Sequence, residues 1–187
     1  MKNIFIAFIL LLNGIYLNSA AQKGNLKFHS IISTGSATGQ SGTSGILQTV
    51  NGFSMHNWFA GIGFGADYNH YKTYPLFFDL RKMSGKKKNI IIYGDLGVDL
   101  PGKNGPSKAM YYLSNQFYNG LYSDLGIGYK FRLNSKSGFL LTAGYSNKRI
   151  TKRTSVVMEC FTVPCPVNYE DYKYGDGRVI LKAGIDF

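Results

Sequence analysis

The sequence predicts an all-β fold: eight antiparallel strands in up-and-down order, closed into a transmembrane β-barrel. Its last segment, Arg178–Phe187, alternates in character, with apolar residues on one face and Arg178, Lys182 and Asp186 on the other. A membrane barrel turns such an apolar face to lipid and keeps charge in its lumen. No run of 18 apolar residues follows residue 21, so a membrane-spanning chain of this kind has to be a closed barrel. The 23 Gly, 14 Tyr and 13 Phe agree, because aromatic residues form interfacial girdles and Gly eases strand curvature.

The first 21 residues are typical of a secretory signal peptide. Lys2 supplies the basic start, Ile4–Leu12 the apolar stretch, and Ser19-Ala20-Ala21 a small-residue cleavage site. The apolar stretch is too short for a spanning helix, although an uncleaved signal anchor is the alternative. We therefore expect a signal peptide over residues 1–21 and one outer-membrane barrel domain over residues 22–187.

Alternation and turn residues predict where the eight strands lie. They are expected near residues 26–34, 46–54, 57–70, 75–82, 89–100, 119–133, 138–148 and 178–187. In the third strand, Trp58 and Tyr68 share a face ten residues apart. That separation spans roughly 25 Å along a tilted strand, which matches the apolar band of a barrel. Pro75 is placed first in its strand, where a missing N–H is tolerated.

The connections alternate in predicted length, which sets the expected orientation. Short turns fall at residues 55–56, 84–88 and 134–137, and long loops at 34–44, 102–117 and 150–176, with the short 71–74 connection as the exception. Outer-membrane barrels have short periplasmic turns and longer external loops. We therefore expect the outer membrane of a Gram-negative-type envelope, with both termini in the periplasm.

The inward faces of the predicted strands carry charges of both signs. The acids are Asp67, Asp79, Asp95, Asp99, Asp124 and Asp186, and the bases are Arg81, Lys130, Arg132, Arg178 and Lys182. An eight-stranded barrel is just wide enough for side chains to fill, and buried charges must pair. The sequence therefore predicts a lumen plugged by ion pairs and no open pore.

The net charge of +11, from 21 basic and 10 acidic residues, points to an anionic partner. Because an exported chain rarely meets nucleic acid, membrane lipid and phosphate-rich glycolipid are the expected partners. Lys148, Arg149, Lys152 and Arg153 are the candidate glycolipid contacts. Lys86–Lys88 lies in a short turn, which either contacts inner-leaflet phosphates or a periplasmic partner, or is simply solvated.

The two cysteines, Cys160 and Cys165, lie in the longest predicted loop. In an oxidising compartment they are expected to form a disulfide. Its small ring would contribute only about 2 kcal/mol and would shape the loop. A metal site is the rival interpretation, but no His or Cys partner lies nearby in the sequence.

Four segments carry a resemblance to a known family: Gly61–Asp67, Tyr74–Arg81, Asp124–Phe131 and the terminal Phe187. With them, residues 22–187 resemble the small eight-stranded barrels of the OmpA/OmpX-like outer-membrane β-barrel superfamily. The resemblance implies that the last strand is an insertion signal read by the barrel-assembly machinery. The residues concerned are Leu181, Ala183, Ile185 and Phe187. A girdle role for Phe187 is the alternative.

The sequence predicts no catalytic constellation, no cofactor and no metal site. The residual enzymatic hypothesis is a lipid-modifying activity at the outer rim. It would use His70, a serine among Ser36, Ser41 and Ser44, and Asp171 or Asp176 as the orienting group. His29 and His56 are expected in the wall and in a turn. Gly61–Gly65 alternates as a strand and has no following helix, so it is not a nucleotide-binding loop.

The leading functional hypothesis is a non-enzymatic integral barrel with a structural or interaction role through its external loops. The fourth loop, with Tyr169, Tyr172 and Tyr174, is the best candidate surface for an envelope protein partner. The alternatives are the lipid-modifying enzyme and a narrow channel or hydrophobic-ligand conduit.

Overall fold

The computed structural model describes residues 26–40, 42–68, 72–86, 88–102, 113–133, 137–157 and 167–187. Nine antiparallel strands lie in these ranges: β1 (Lys27–Gly39), β2 (Gly42–Met55), β3 (Trp58–Tyr68), β4 (Lys72–Ser84), β5 (Ile90–Pro101), β6 (Leu113–Tyr118), β7 (Gly120–Arg132), β8 (Gly138–Val157) and β9 (Val167–Asp186). None of the described segments is a helix long and apolar enough to cross a membrane.

Eight of these strands close into a ring. Neighbours pair in chain order from β1 to β5, then β5 pairs with β7, β7 with β8, β8 with β9, and β9 with β1. β6 lies outside the ring, because it pairs with the far half of β8 and continues the line of β7. The predicted eight-stranded antiparallel barrel is therefore confirmed, and one of its walls is prolonged by an additional strand.

The pairing register sets the width of the barrel. The path of directly paired residues runs through His29, Gly52, Gly61, Asp79, Asp95, Asp124, Ser146 and Arg178, and returns to β1 at Gly39. Gly39 lies ten residues beyond His29. An offset of this size over eight strands gives a strand tilt of about 40° and a radius of about 8 Å. Side chains can fill that interior, but a wide water channel cannot form.

The two faces of the wall differ as a membrane barrel requires. Along β3, Phe59 and Asp67 are buried, while Trp58, Ile62 and Tyr68 are exposed. Leu125, at 69% exposure on β7, is among the most exposed of the apolar side chains that ring the outside. Without lipid this apolar belt would be an unprotected surface, so it is the bilayer-facing band.

All three long predicted loops are wrong in part, because the chain there forms strand; β6 (Leu113–Tyr118) occupies the end of the loop expected over 102–117. β1 and β2 pair as far as Gly39 and Gly42, which replaces the expected loop over 34–44. β8 and β9 pair as far as Val157 and Val167, which replaces much of the expected loop over 150–176. Tight pairing satisfies the backbone hydrogen bonds of these polar stretches without an apolar face, and their Thr, Val and Tyr residues favour strands.

The barrel therefore has two unlike ends. The turn end carries the short β2–β3 and β4–β5 connections, where His56 and Gly85 adopt positive φ. The opposite end carries a three-stranded sheet, which we call the extension, formed by β6, residues 149–157 of β8 and residues 167–176 of β9.

Candidate functional site

The lumen nearest the extension holds an ion-pair network of four buried charges, and the less buried Asp176 lies 3.5 Å from its Arg178. Arg178 is 1% exposed and donates to Asp67 at 2.6 Å and to the Ser44 hydroxyl at 3.0 Å. The Lys148 ammonium lies 2.6 Å from Asp67 and 3.3 Å from Asp99. The two bases balance the two acids, which explains how four charges remain buried together.

The middle of the lumen is built around Lys182. Its ammonium donates to Asp124 at 2.7 Å and to Gln48 at 3.1 Å, and it lies 4.5 Å from the centre of the Tyr93 ring. Asp95 is 3.8 Å from the same ammonium, and neither of its carboxylate oxygens has a hydrogen-bond partner among the described residues. The Lys182 ammonium is therefore the shared counter-ion of two carboxylates, Asp124 and Asp95, in the middle of the lumen.

The turn end of the lumen is closed by two further pairs. Arg81 donates to Asp79 through three contacts of 2.6–2.9 Å. Lys130 donates to Asp186, whose second oxygen lies 2.9 Å from Nδ1 of His29. Small cavities remain beside Arg81, and a buried apolar cluster that includes Ile31, Phe59, Phe77 and Leu140 fills the lumen together with the charged pairs.

The structure corrects two expectations from the sequence: glycolipid contact by Lys148, and a place in the lumen for Arg132. Lys148 is 4% exposed and belongs to the lumen network, so it is not a glycolipid contact. Arg132 is exposed at the turn end, and thus does not lie in the plug. The other predicted lumen residues point inward, as the alternation along their strands requires.

The extension leaves the barrel at a β-bulge. Tyr118 pairs with Thr151, whereas Tyr122 pairs with Lys148, so the β6–β7 side has one extra residue. Gly120 lies in this bulge, and a Cβ there would overlap the carbonyl oxygen of Arg149. Glycine suits this position because the two backbones approach so closely that a side chain would force the bulge to shift.

The outer face of the extension carries an ordered aromatic and charged cluster. Arg153 donates to both carboxylate oxygens of Asp171, at 2.7 and 2.8 Å. Its guanidinium lies 5.2 Å from the Tyr118 ring centre and 6.0 Å from that of Tyr169, within cation–π range. The hydrogen bond from Arg153 holds the pKa of Asp171 below its usual value. We call these four residues the Arg153 cluster.

The inner face of the extension is also rich in tyrosine. Tyr172 and Tyr174 are 46% and 52% exposed. The Tyr172 hydroxyl donates to Glu170 at 2.5 Å, and this bond raises the pKa of the tyrosine. Both faces of the sheet thus present aromatic surface framed by charge.

The remaining predicted residues are dispersed. Arg149 is exposed, and Arg153 is engaged by Asp171. The backbone of Phe187 exchanges hydrogen bonds of 2.9 and 3.0 Å with Ser30, while Leu181 and Ile185 face outward at 59% and 50% exposure. Cys160, Cys165, His70 and Ser41 lie outside the described residues.

The serines expected beside His70 do not share a loop. Ser36 is exposed on the outside of β1, and Ser44 is buried in the lumen against Arg178.

Pro75 marks a seam in the wall. It lies inside β4, contrary to the expectation that it begins the strand, and pairing with β3 is interrupted between Phe64↔Leu76 and Asp67↔Thr73. Met83 donates to Asn57 across this same strand pair, so the odd-numbered residues of β4 turn their N–H groups toward β3. Pro75 has no N–H to offer, and the ladder is open at that point.

The fold is that of a small outer-membrane β-barrel. The chain is similar to the outer membrane protein AlkL, solved in lipid bilayers, with 13% identity, a TM-score of 0.51, and coverage of 92% of this chain and 94% of that one. It is also similar to the outer membrane protein OprG from Pseudomonas aeruginosa, with 17% identity, a TM-score of 0.50, and coverage of 89% and 99%. No protein-family profile matches the sequence, and no curated protein matches it.

Proposed function

We propose that this protein is a non-enzymatic barrel of the outer membrane that binds an envelope or extracellular protein through its extension. The observation that supports this function most is the Arg153 cluster. Asp171 holds the guanidinium between the Tyr118 and Tyr169 rings, so the aromatic surface is ordered before any partner arrives. Preordered aromatic and arginine side chains carry much of the affinity in protein interfaces.

The placement of the extension fits this role. Short turns are the periplasmic side of outer-membrane barrels, so the extension projects outward in the proposed orientation. From Lys148 at the rim to Val157, β8 runs nine residues, or roughly 30 Å. The filled lumen supports an interaction role over a pore, because the same eight strands hold their interior closed with paired charges.

The test uses the full chain in native outer membranes. Cross-linking followed by quantitative mass spectrometry would compare the wild type with a Tyr118→Ala/Tyr169→Ala variant. We expect a partner whose recovery falls about tenfold in the variant, as the loss of two interface aromatics requires. Tyr129→Ala is the matched control, since Tyr129 is a 43% exposed aromatic on the barrel wall. Equal recovery from all three proteins would contradict the proposal.

A hydrophobic-ligand conduit is the second candidate, and the seam at Pro75 is the observation that favours it. The interrupted pairing leaves fewer hydrogen bonds between β3 and β4 at this point, so it is where we propose that the wall parts to let an apolar ligand pass between the mouth of the barrel and the bilayer. Pro75→Ala restores an N–H facing β3, and should slow entry of an apolar fluorescent probe into vesicles that contain the protein. Pro101→Ala, at the end of β5, is the control, and equal rates in all three proteins would remove this candidate.

A further inference from the structure

Within the part of the chain that the structure describes, the far part of β9 is an open strand edge. β1 pairs with β9 only as far as Gly39↔Arg178, and from Gly177 back to Val167 β9 pairs with β8 alone among the described strands. An unpaired edge presents a row of backbone N–H and C=O groups that can pair with another extended chain.

The hydrogen-bond phase of β9 identifies which residues present these groups. Phe187 exchanges both backbone hydrogen bonds with Ser30 of β1, so odd-numbered residues of β9 face β1 and even-numbered ones face β8. The β8–β9 register continues unbroken to Val157↔Val167, which preserves this phase. The outward-facing backbone groups of the open edge therefore belong to Val167, Tyr169, Asp171, Lys173, Gly175 and Gly177.

We infer that a partner protein binds this edge by adding an extended strand to β9, an inference that rests on the proposed function of the extension. The regular two-residue spacing of donors and acceptors matches a polypeptide strand, the mode known as β-augmentation. A glycan has no backbone with N–H donors and C=O acceptors at this two-residue spacing.

The charges along the edge indicate the chemistry of the added strand. Two of the three acids in residues 167–176 of β9 are already paired, Asp171 with Arg153 and Asp176 with Arg178, which leaves Glu170 and the base Lys173. Opposite charges on facing residues of adjacent strands are favourable and like charges are not. A segment with a basic residue opposite Glu170 and an acidic residue opposite Lys173 therefore fits this edge best.

The edge can be blocked without disturbing the barrel. In Lys173→Pro the lost N–H is one that points away from β8, and proline is tolerated on strand edges. Lys173→Ala removes the charge but keeps the N–H, so it is the matched control. Hydrogen exchange of the Tyr172 and Tyr174 amides, which face β8, shows whether the extension remains folded in each variant.

The probe is a phage-displayed library of linear peptides long enough to cover Val167–Gly177, selected on the full chain in lipid nanodiscs. We expect enriched peptides with this charge pattern that bind Lys173→Pro about tenfold more weakly, the effect of one or two lost backbone hydrogen bonds, and bind Lys173→Ala nearly as well as the wild type. N-methylation of every second peptide residue should abolish binding in one phase and spare it in the other.

The other outcomes overturn the inference. Peptides that tolerate Lys173→Pro but lose binding with Tyr169→Ala or Tyr172→Ala recognise a face of the sheet, which leaves the proposed function intact. A dimer in nanodiscs that Lys173→Pro dissociates would mean that the edge takes a second copy. If no peptide depends on the extension, strand addition fails, and the cross-linking experiment decides the proposed function separately.

Discussion

The lumen and the extension use the same side-chain chemistry in opposite surroundings. Arg178 and Asp67 are 1% and 0% exposed and each has a further partner inside the barrel, Ser44 for Arg178 and Lys148 for Asp67, whereas Arg153 and Asp171 are each 41% exposed on the open sheet. A buried pair is costly to break because it leaves an unpaired charge behind. An exposed pair contributes little stability, since water replaces either partner. An Arg–Asp pair is therefore costly to break inside the barrel, whereas in the extension it orders the exposed tyrosines on which the proposed binding function rests.

The largest predicted effect is the loss of one buried partner at the turn end of the lumen. Arg81→Met leaves the fully buried Asp79 carboxylate without its bidentate cation, and should lower the free energy of unfolding by about 3–5 kcal/mol. Urea titration in lipid vesicles, followed by the fluorescence of the sole tryptophan, Trp58, measures it.

The double variant Asp79→Leu/Arg81→Met sharpens this result. Replacing both charges with apolar groups should recover most of the lost stability. If the double variant were as unstable as the single one, Asp79 would have stabilising interactions with residues other than Arg81.

A smaller effect is predicted at the junction of the two regions. Gly120→Ala places a Cβ against the Arg149 carbonyl, so the bulge has to shift at a cost of about 1–3 kcal/mol. We expect faster amide exchange in β6 and unchanged exchange in β3, measured by mass spectrometry. Gly175→Ala is the control, because a Cβ there meets no atom within 4 Å. Equal exchange in both variants would argue against the bulge as the hinge of the extension.

Removal of the exposed pair should not affect the stability of the barrel. Arg153→Ala is expected to leave the unfolding midpoint of the barrel unchanged while freeing the Tyr118 and Tyr169 rings, which become more mobile in NMR relaxation of labelled tyrosines. A clear fall in the midpoint would show that the extension and the barrel unfold together.

The smallest effect is a shift in one titration. The pKa of Asp171 is lowered by the Arg153 hydrogen bond, so the order that this pair provides is present above the usual aspartate value of about 3.9 and is lost as the pH falls through the lowered pKa. Carboxyl NMR should place the Asp171 midpoint below 3.9 in the wild type and near 3.9 in Arg153→Ala. Equal midpoints would contradict the observed pairing.

The strands most predictable from sequence are those whose two faces meet different surroundings. Trp58, Ile62 and Tyr68 alternate with Gly61, Gly63 and Asp67 because one side of β3 meets lipid and the other faces the filled lumen. The prediction failed where both faces meet water. In residues 149–157 and 167–176 neither face has to be apolar, so the strands of the extension lack the strict alternation that locates a membrane strand, and the sequence was interpreted as a loop.

The sequence alone determined the class of fold, the apolar belt and the charge balance of the lumen. In a bilayer, alternate side chains of a strand have to face lipid and lumen, so the pattern of apolar and polar residues sets both faces. Only the tertiary structure decided which charges meet. Lys148 reaches Asp67 from β8, 81 residues away in the chain, and that contact exists only because the ring closes with an offset of ten residues. The open edge of β9 has the same origin. A strand is an edge only in relation to its neighbours, and β1 ends where β9 continues.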